Sequence, residues 1–127
     1  MSAKSVLVVE DKELNRKVVR IVLESKGYEM LEATNAEETL QILNAKTPDL
    51  ILMDIALPGG VDGENLTKQI KTHPQWGHIP ILALTAAAMK GDRERLIEAG
   101  CDDYISKPID TRVLVNLVGR YAGESEE

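Results

Sequence analysis

Val6-Leu7-Val8-Val9-Glu10-Asp11 is a short apolar run that ends on two carboxylates, and the chain returns to this design three times. Leu50-Ile51-Leu52-Met53 ends on Asp54, Ile81-Leu82-Ala83-Leu84 on Thr85, and Tyr104-Ile105-Ser106 on Lys107. Short apolar runs bounded by polar residues suit strands covered on both faces of a parallel sheet. Ligands of open α/β sheets bind beyond the carboxyl ends of the strands. Four such strands would deliver three carboxylates, a hydroxyl and an ammonium to one edge. That set could hold a divalent metal and a phosphoryl group.

Helical patterns fill the gaps between the runs. Leu14, Val18, Ile21 and Val22 recur at helical spacing and Gly27 follows as a stop. Tyr28 to Ala33 reads as a second strand; Glu29 and Glu32 make it less apolar and place it at an edge. Asn35 opens a capping-box pattern closed by Glu38, with Leu40 and Leu43 as that helix's buried side. The third strand, Leu50 to Met53, leads into a Pro- and Gly-rich loop, Leu57 to Gly63. A weakly patterned helix, about Glu64 to Thr72, carries Leu66 and Ile70 and ends at His73-Pro74. The fourth strand is expected over Ile79 to Leu84. Its helix is expected from about Gly91 to Ala99, with Met89, Leu96 and Ile97 as core candidates and Gly100 as the stop. Asp110 can cap the last helix, whose inner face would be Val113, Leu114, Leu117, Val118 and Tyr121.

The result is five β/α units in 127 residues, with nothing left for a second domain. Right-handed crossovers turn them into a doubly wound sheet. With the second strand at an edge, the flavodoxin-like order 2-1-3-4-5 follows, and its switch point lies between the strands that carry Asp11 and Asp54.

Composition excludes several classes. The net charge of −6 argues against non-specific nucleic-acid binding, and 3% aromatics argue against base-stacking platforms. No run approaches the length of a membrane span. The N-terminus enters a strand pattern directly, so no signal peptide is expected. One cysteine, Cys101, allows no internal disulfide and fits a reducing cytoplasm. Glu124-Ser125-Glu126-Glu127 reads as a solvated acidic tail.

Carboxylates brought close together repel, and at least one pKa rises unless a cation sits among them. Oxygen donors without nearby His or Cys suit Mg²⁺ or Mn²⁺. An Asp can act as a nucleophile toward phosphorus. Phosphoryl transfer asks mainly for positioning and charge neutralisation, which the metal, Lys107 and the Thr85 hydroxyl could supply.

This constellation resembles the receiver domain of two-component response regulators, the CheY-like fold, over essentially the whole chain. The matching residues are Glu10–Asp11, Asp54, the Leu57-Pro58 turn, Thr85, and Tyr104 ahead of Lys107-Pro108. Val9-Glu10-Asp11 with Asn15, and Leu84-Thr85-Ala86-Ala87-Ala88-Met89, look like DivK-type single-domain regulators and the receivers of hybrid kinases. The resemblance implies a receiver domain over residues 1–123 in which Asp54 takes a phosphoryl group from a phosphohistidine. The donor would be a histidine kinase or a histidine phosphotransfer protein. Mg²⁺ would be held by Asp11, Asp54 and the Ala56 carbonyl, with Glu10 acting largely through water. Thr85 and Lys107 would grip the phosphoryl oxygens, and a cis Lys107–Pro108 bond would aim the lysine into the crevice. Thr85 and Tyr104 would form the conformational switch. The implied partners are the phosphoryl donor and a downstream protein, with no nucleic acid or membrane, and the chain would be a monomer or a phosphorylation-dependent dimer. Leu14, Asn15, Val18, Pro108 and Ile109 form the expected rim for a phosphotransfer helix. The face of the fourth helix, fifth strand and fifth helix is expected to meet the output partner.

One departure stands out. The family usually has one residue fewer between the acceptor Asp and the Gly opening the next helix; Gly59-Gly60 holds the extra one. Ala56 and Ala87 flank the acceptor and are small, which predicts an open water path and a phosphoryl lifetime of minutes or less.

Plainer readings stand beside these. Asp11 alone could cap the following helix. Thr85 alone is an ordinary strand-end residue, and Tyr104 alone a half-buried edge aromatic. His73 and His78 belong to a surface loop, with Trp76 between them covering exposed apolar surface. Cys101 reads as a small core filler, and Lys90 to Glu94 as a solvated helix face. Two other functions use similar parts. Phosphatases of the haloacid-dehalogenase type place a second Asp two residues after the nucleophile, where this chain has Ala56. A receiver-shaped interaction module would never be phosphorylated. The chain could also be the excised receiver of a hybrid kinase.

Overall fold

The computed structural model describes residues 3–55, 63–86 and 90–123, with the side chains of the last stretch described from Arg93 onward. Five strands alternate with five helices: β1 (Ser5–Val9), α1 (Glu13–Ser25), β2 (Glu29–Ala33), α2 (Ala36–Ala45), β3 (Leu50–Asp54), α3 (Gly63–Lys71), β4 (Ile81–Thr85), α4 (Lys90–Ala99), β5 (Asp103–Ser106) and α5 (Thr111–Ala122). The sheet order is β2-β1-β3-β4-β5 and every pairing is parallel. This is the expected flavodoxin-like, CheY-like arrangement, with β2 at an edge.

The apolar runs are strands because side chains on a strand alternate between faces and here both faces are covered. Leu7, Val9, Ile51, Met53, Ile81 and Ala83 join one core cluster with Leu43, Leu66, Ile70 and Leu96 of α2, α3 and α4. Val6, Val8, Leu50, Leu52, Leu82 and Leu84 join the other with Val19 and Leu23 of α1 and Leu114 and Val118 of α5. Two helices therefore cover one face of the sheet and three the other. Truncating a fully buried Leu from either layer to Ala costs roughly 2–5 kcal/mol.

The helix boundaries follow local chemistry. Asn35 accepts the Glu38 N–H at 2.8 Å, and the Glu38 carboxylate reaches back to the Thr34 N–H at 2.7 Å. Asp110 accepts the Arg112 N–H at 2.9 Å and starts α5. Gly27 (φ 84°) and Gly100 (φ 112°) take the left-handed turns that stop α1 and α4.

Several expectations need correction. Ile97, expected in the core, is 50% exposed, and Val113, expected on the inner face of α5, is 42% exposed. On α1 the buried residues are Val19 and Leu23, whereas Leu14 and Ile21 are exposed. Trp76 does not merely cover the surface. It is buried in the core and stacks on His73 with centroids 3.7 Å apart. β4 begins at Ile81 rather than Ile79, since Pro80 has no N–H for the ladder and the Ile79 carbonyl is taken by the Lys71 ammonium at 2.8 Å. Cys101 is the expected core filler, its thiol 4.0 Å from the Thr67 hydroxyl. Met89, Ala87 and the acidic tail lie outside the described residues.

Candidate functional site

The parallel register brings the ends of β1, β3, β4 and β5 to one edge of the sheet. Glu10 extends β1 through its N–H, which donates to the Ala33 carbonyl at 3.0 Å, so its side chain leaves the sheet beside Asp54 at the end of β3. Both residues are buried, Glu10 fully. The Asp11 side chain is exposed, and one carboxylate oxygen from each of Glu10, Asp11 and Asp54 lies within 4.8 Å of the others.

Lys107 joins this cluster from β5. Its N–H donates to the Thr85 carbonyl at 2.8 Å, which ties its backbone to the end of β4. Its Nζ lies 3.1 Å from Asp54 Oδ1 and 3.1 Å from Glu10 Oε1. The Lys107–Pro108 peptide is cis. Two further donors hold Glu10: the Asn15 amide at 3.1 Å and the Lys12 backbone N–H at 3.2 Å.

Charge follows this geometry. Burial alone pushes the Glu10 pKa up, but its hydrogen bonding with Asp54, the Lys12 N–H and the Lys107 ammonium outweighs that and holds the carboxyl down at about 2. Lys107 is shifted the other way: burial opposes its charge, and the two carboxylates raise its pKa above the usual lysine value. The cation required among crowded carboxylates is thus partly the protein's own. Three carboxyl groups gathered around one ammonium form an oxygen-only donor set. That chemistry fits a hard divalent cation such as Mg²⁺.

The remaining expected residues fall around this cluster. Thr85 is buried at the end of β4, opposite Ser106 of β5. Tyr104 is half-buried two residues earlier on β5 and packs on the core beneath α4. Asp11 does not occupy the cap position of α1; Lys12 does, without a side-chain cap bond. Leu14, Asn15, Val18, Pro108 and Ile109 line one groove with Lys107, of about 200 Å³. A second groove, about 430 Å³, runs along β5 between Arg93, Tyr104, Pro108 and Val113. Ala56, Leu57-Pro58 and Gly59-Gly60 lie outside the described residues.

Sequence reasoning missed two contributors. Arg16 donates through Nη1 to the carbonyls of Glu10 (2.9 Å) and Asp11 (3.1 Å). Its position one turn into α1, with Glu32 on the edge strand as an acidic partner, was the available signal. Gly63 packs so closely on β3 that a Cβ there would meet the Asp54 carbonyl oxygen and come 2.8 Å from Ile55 Cα.

Comparison with known proteins agrees with this geometry. The family model described as the response regulator receiver domain matches residues 6–119. The polar-differentiation response regulator DivK of Brucella anthropi is 46% identical over 122 residues, covering 96% of this chain and 98% of its own. The receiver domain of a sensor histidine kinase from Pseudomonas aeruginosa PAO1, solved with a magnesium ion coordinated in its active-site cleft, superposes with a TM-score of 0.86 at 34% identity, covering 96% and 99% of the two chains. Chemotaxis protein CheY4 of Vibrio cholerae superposes at 0.88 with 25% identity, covering 94% and 99%. An acidic cluster at the switch point of a 2-1-3-4-5 sheet, matched along nearly its whole length by these relatives, makes this chain a member of the response regulator receiver domain family.

Proposed function

We propose that this chain is a single-domain response regulator: residues 1–123 form a cytoplasmic receiver whose Asp54 accepts a phosphoryl group from a phosphohistidine. The donor is a histidine kinase or a histidine phosphotransfer protein. The product is a switched conformation that controls a partner protein or passes the phosphoryl group onward. The reading is supported by the 46% identity to DivK over 122 residues. Activity is limited to the chain's own phosphorylation and dephosphorylation.

The observation that carries the reading is Lys107 Nζ at 3.1 Å from both Asp54 and Glu10, beside Asp11. A carboxylate oxygen of Asp54 attacks phosphorus, the P–N bond breaks, and its electron pair stays on the imidazole nitrogen of the donor. Mg²⁺ (or Mn²⁺) held by Asp11, Asp54 and the Ala56 carbonyl, with Glu10 acting through water, would supply neutralisation of the phosphoryl oxygens. Lys107 follows the developing charge without leaving Glu10, and the Thr85 hydroxyl donates a hydrogen bond to a phosphoryl oxygen. Drawing Thr85 toward that oxygen opens space along the face it shares with Tyr104, whose ring turns inward. The shift persists only because the phosphoryl group binds the inward state better.

Leu14, Asn15, Val18, Pro108 and Ile109 seat the helix of the donor, whose phosphohistidine then meets Asp54 over Lys107. The second groove, along β5 and Tyr104, meets the output partner. Neither nucleic acid nor membrane is a partner in this reading: the net charge is −6, and among the described residues no helix is long and apolar enough to cross a membrane. Intact-mass measurement after incubation with acetyl phosphate and Mg²⁺ tests the proposal. The parent gains one phosphoryl group and Asp54→Ala gains none; equal gain by both, or none by the parent, rejects it.

A further inference from the structure

We propose that Arg16 is a positioning residue for the divalent cation, acting through the backbone of the turn that carries the acidic pair. The inference rests on the magnesium part of the reading above.

Asp11 is exposed, so the direction of its carboxylate depends on the backbone beneath it. That backbone is held from below. Arg16 Nη1 donates to two successive carbonyls, those of Glu10 at 2.9 Å and Asp11 at 3.1 Å. One nitrogen serving both oxygens fixes both peptide planes of the β1–α1 turn. The guanidinium is fixed in its turn: its Nε donates to Glu32 Oε1 on β2 at 3.2 Å, and its side chain is only 15% exposed. The rigid guanidinium plane serves the carboxylate through Nε and both carbonyls through Nη1, from donor atoms held apart in a fixed geometry. Glu10 gains a second restraint from its N–H to the Ala33 carbonyl, also on the edge strand. The edge strand therefore buttresses the metal-bearing turn, and Arg16 is the connection.

Arg20 supplies an internal control. It pairs with the same Glu32, through Nε at 3.2 Å and through Nη2, but no hydrogen bond joins it to the turn among the described residues. Losing Arg20 removes an ion pair; losing Arg16 removes an ion pair and the grip on both carbonyls. Groups that orient metal ligands without touching the metal typically alter affinity by about 10–100-fold.

The test is calorimetric titration of metal-free protein with MgCl₂, alongside thermal unfolding in EDTA. Arg16→Ala is expected to weaken Mg²⁺ binding about tenfold, while Arg20→Ala stays within about twofold of the parent at a comparable loss of thermal midpoint. Should Arg16→Ala unfold, Arg16→Gln, too short to reach both carbonyls, carries the same expectation. Parental affinity in the Arg16 variants, or equal weakening in Arg20→Ala, overturns the inference while the magnesium reading stands. A parent that takes up no Mg²⁺ overturns both.

Discussion

Lys107 Nζ stands 3.1 Å from Asp54 Oδ1 and completes a bridge to Glu10, so a single ammonium is shared between two buried carboxyl groups. Removing one member of a buried ion pair is far more damaging than the pair's net worth, because it leaves charge unpaired. Lys107→Met is therefore expected to lose on the order of 3 kcal/mol in urea unfolding of the EDTA-treated protein. Saturating Mg²⁺ should narrow the gap, since a site that has lost the ammonium's positive charge binds the cation more tightly and so gains more stability by mass action. A variant as stable as the parent in EDTA would show that Lys107 does not compensate these carboxylates.

Gly63 and Gly119 should respond in opposite directions to the same methyl. At Gly63 a Cβ has nowhere to go, with the Asp54 carbonyl carbon 2.9 Å away. Gly63→Ala is expected to cost about 1–3 kcal/mol. By displacing the end of β3, it should slow acetyl phosphate labelling at least about tenfold. At Gly119, within α5, nothing lies within 4 Å of the added carbon, and Gly119→Ala should gain roughly 0.5–1 kcal/mol. Chemical denaturation of the two variants checks both signs.

Cys101 contributes to the alkaline limb of stability. Burial raises its thiol pKa to about 11 despite the nearby Thr67 hydroxyl. A raised pKa means the folded state holds the proton more tightly. This contribution is complete below the unfolded value of 9.0 and disappears as pH climbs through about 11. The native thiol should resist Ellman's reagent at neutral pH and react once urea unfolds the chain. Cys101→Ala should flatten the decline in stability over that alkaline window. Rapid labelling of the native protein would contradict the buried assignment.

Val18 separates docking from chemistry. It is 37% exposed and lines the groove with Leu14 and Pro108, so Val18→Glu should leave stability within about 0.5 kcal/mol of the parent. On the proposed reading it blocks phosphotransfer from the kinase but spares labelling by acetyl phosphate. Equal loss with both donors would reject this groove as the docking rim.

Much of this was legible in the sequence because the strands are unusually plain. β1, β3 and β4 are buried on both faces, so their runs needed no decision about which side faces the core. The strand ends name the cluster directly: Asp54 and Thr85 close β3 and β4, and Glu10 follows β1. The helices were harder. α1 carries Leu14, Val18 and Ile21 on a stripe as apolar as the one it buries, and periodicity alone cannot tell an inward stripe from an outward one. Ile97 and Val113 misled for the same reason, as apolar residues on the open side of α4 and α5. Trp76 was misplaced because its loop looked polar; the stacked His73 and the core beneath α3 became visible only in three dimensions. Arg16 escaped because its partners are main-chain carbonyls, which leave no trace in residue types.

The central claim is that Asp54 itself becomes the phosphoryl anchor. Borohydride reduces an acyl phosphate to the alcohol, so protein incubated with acetyl phosphate and Mg²⁺, then reduced and digested, carries the mark at the modified position. Peptide mass mapping should find homoserine at residue 54 and at neither Asp11 nor Glu10. Reduction at another carboxylate, or at none while Mg²⁺ is bound, would contradict the account.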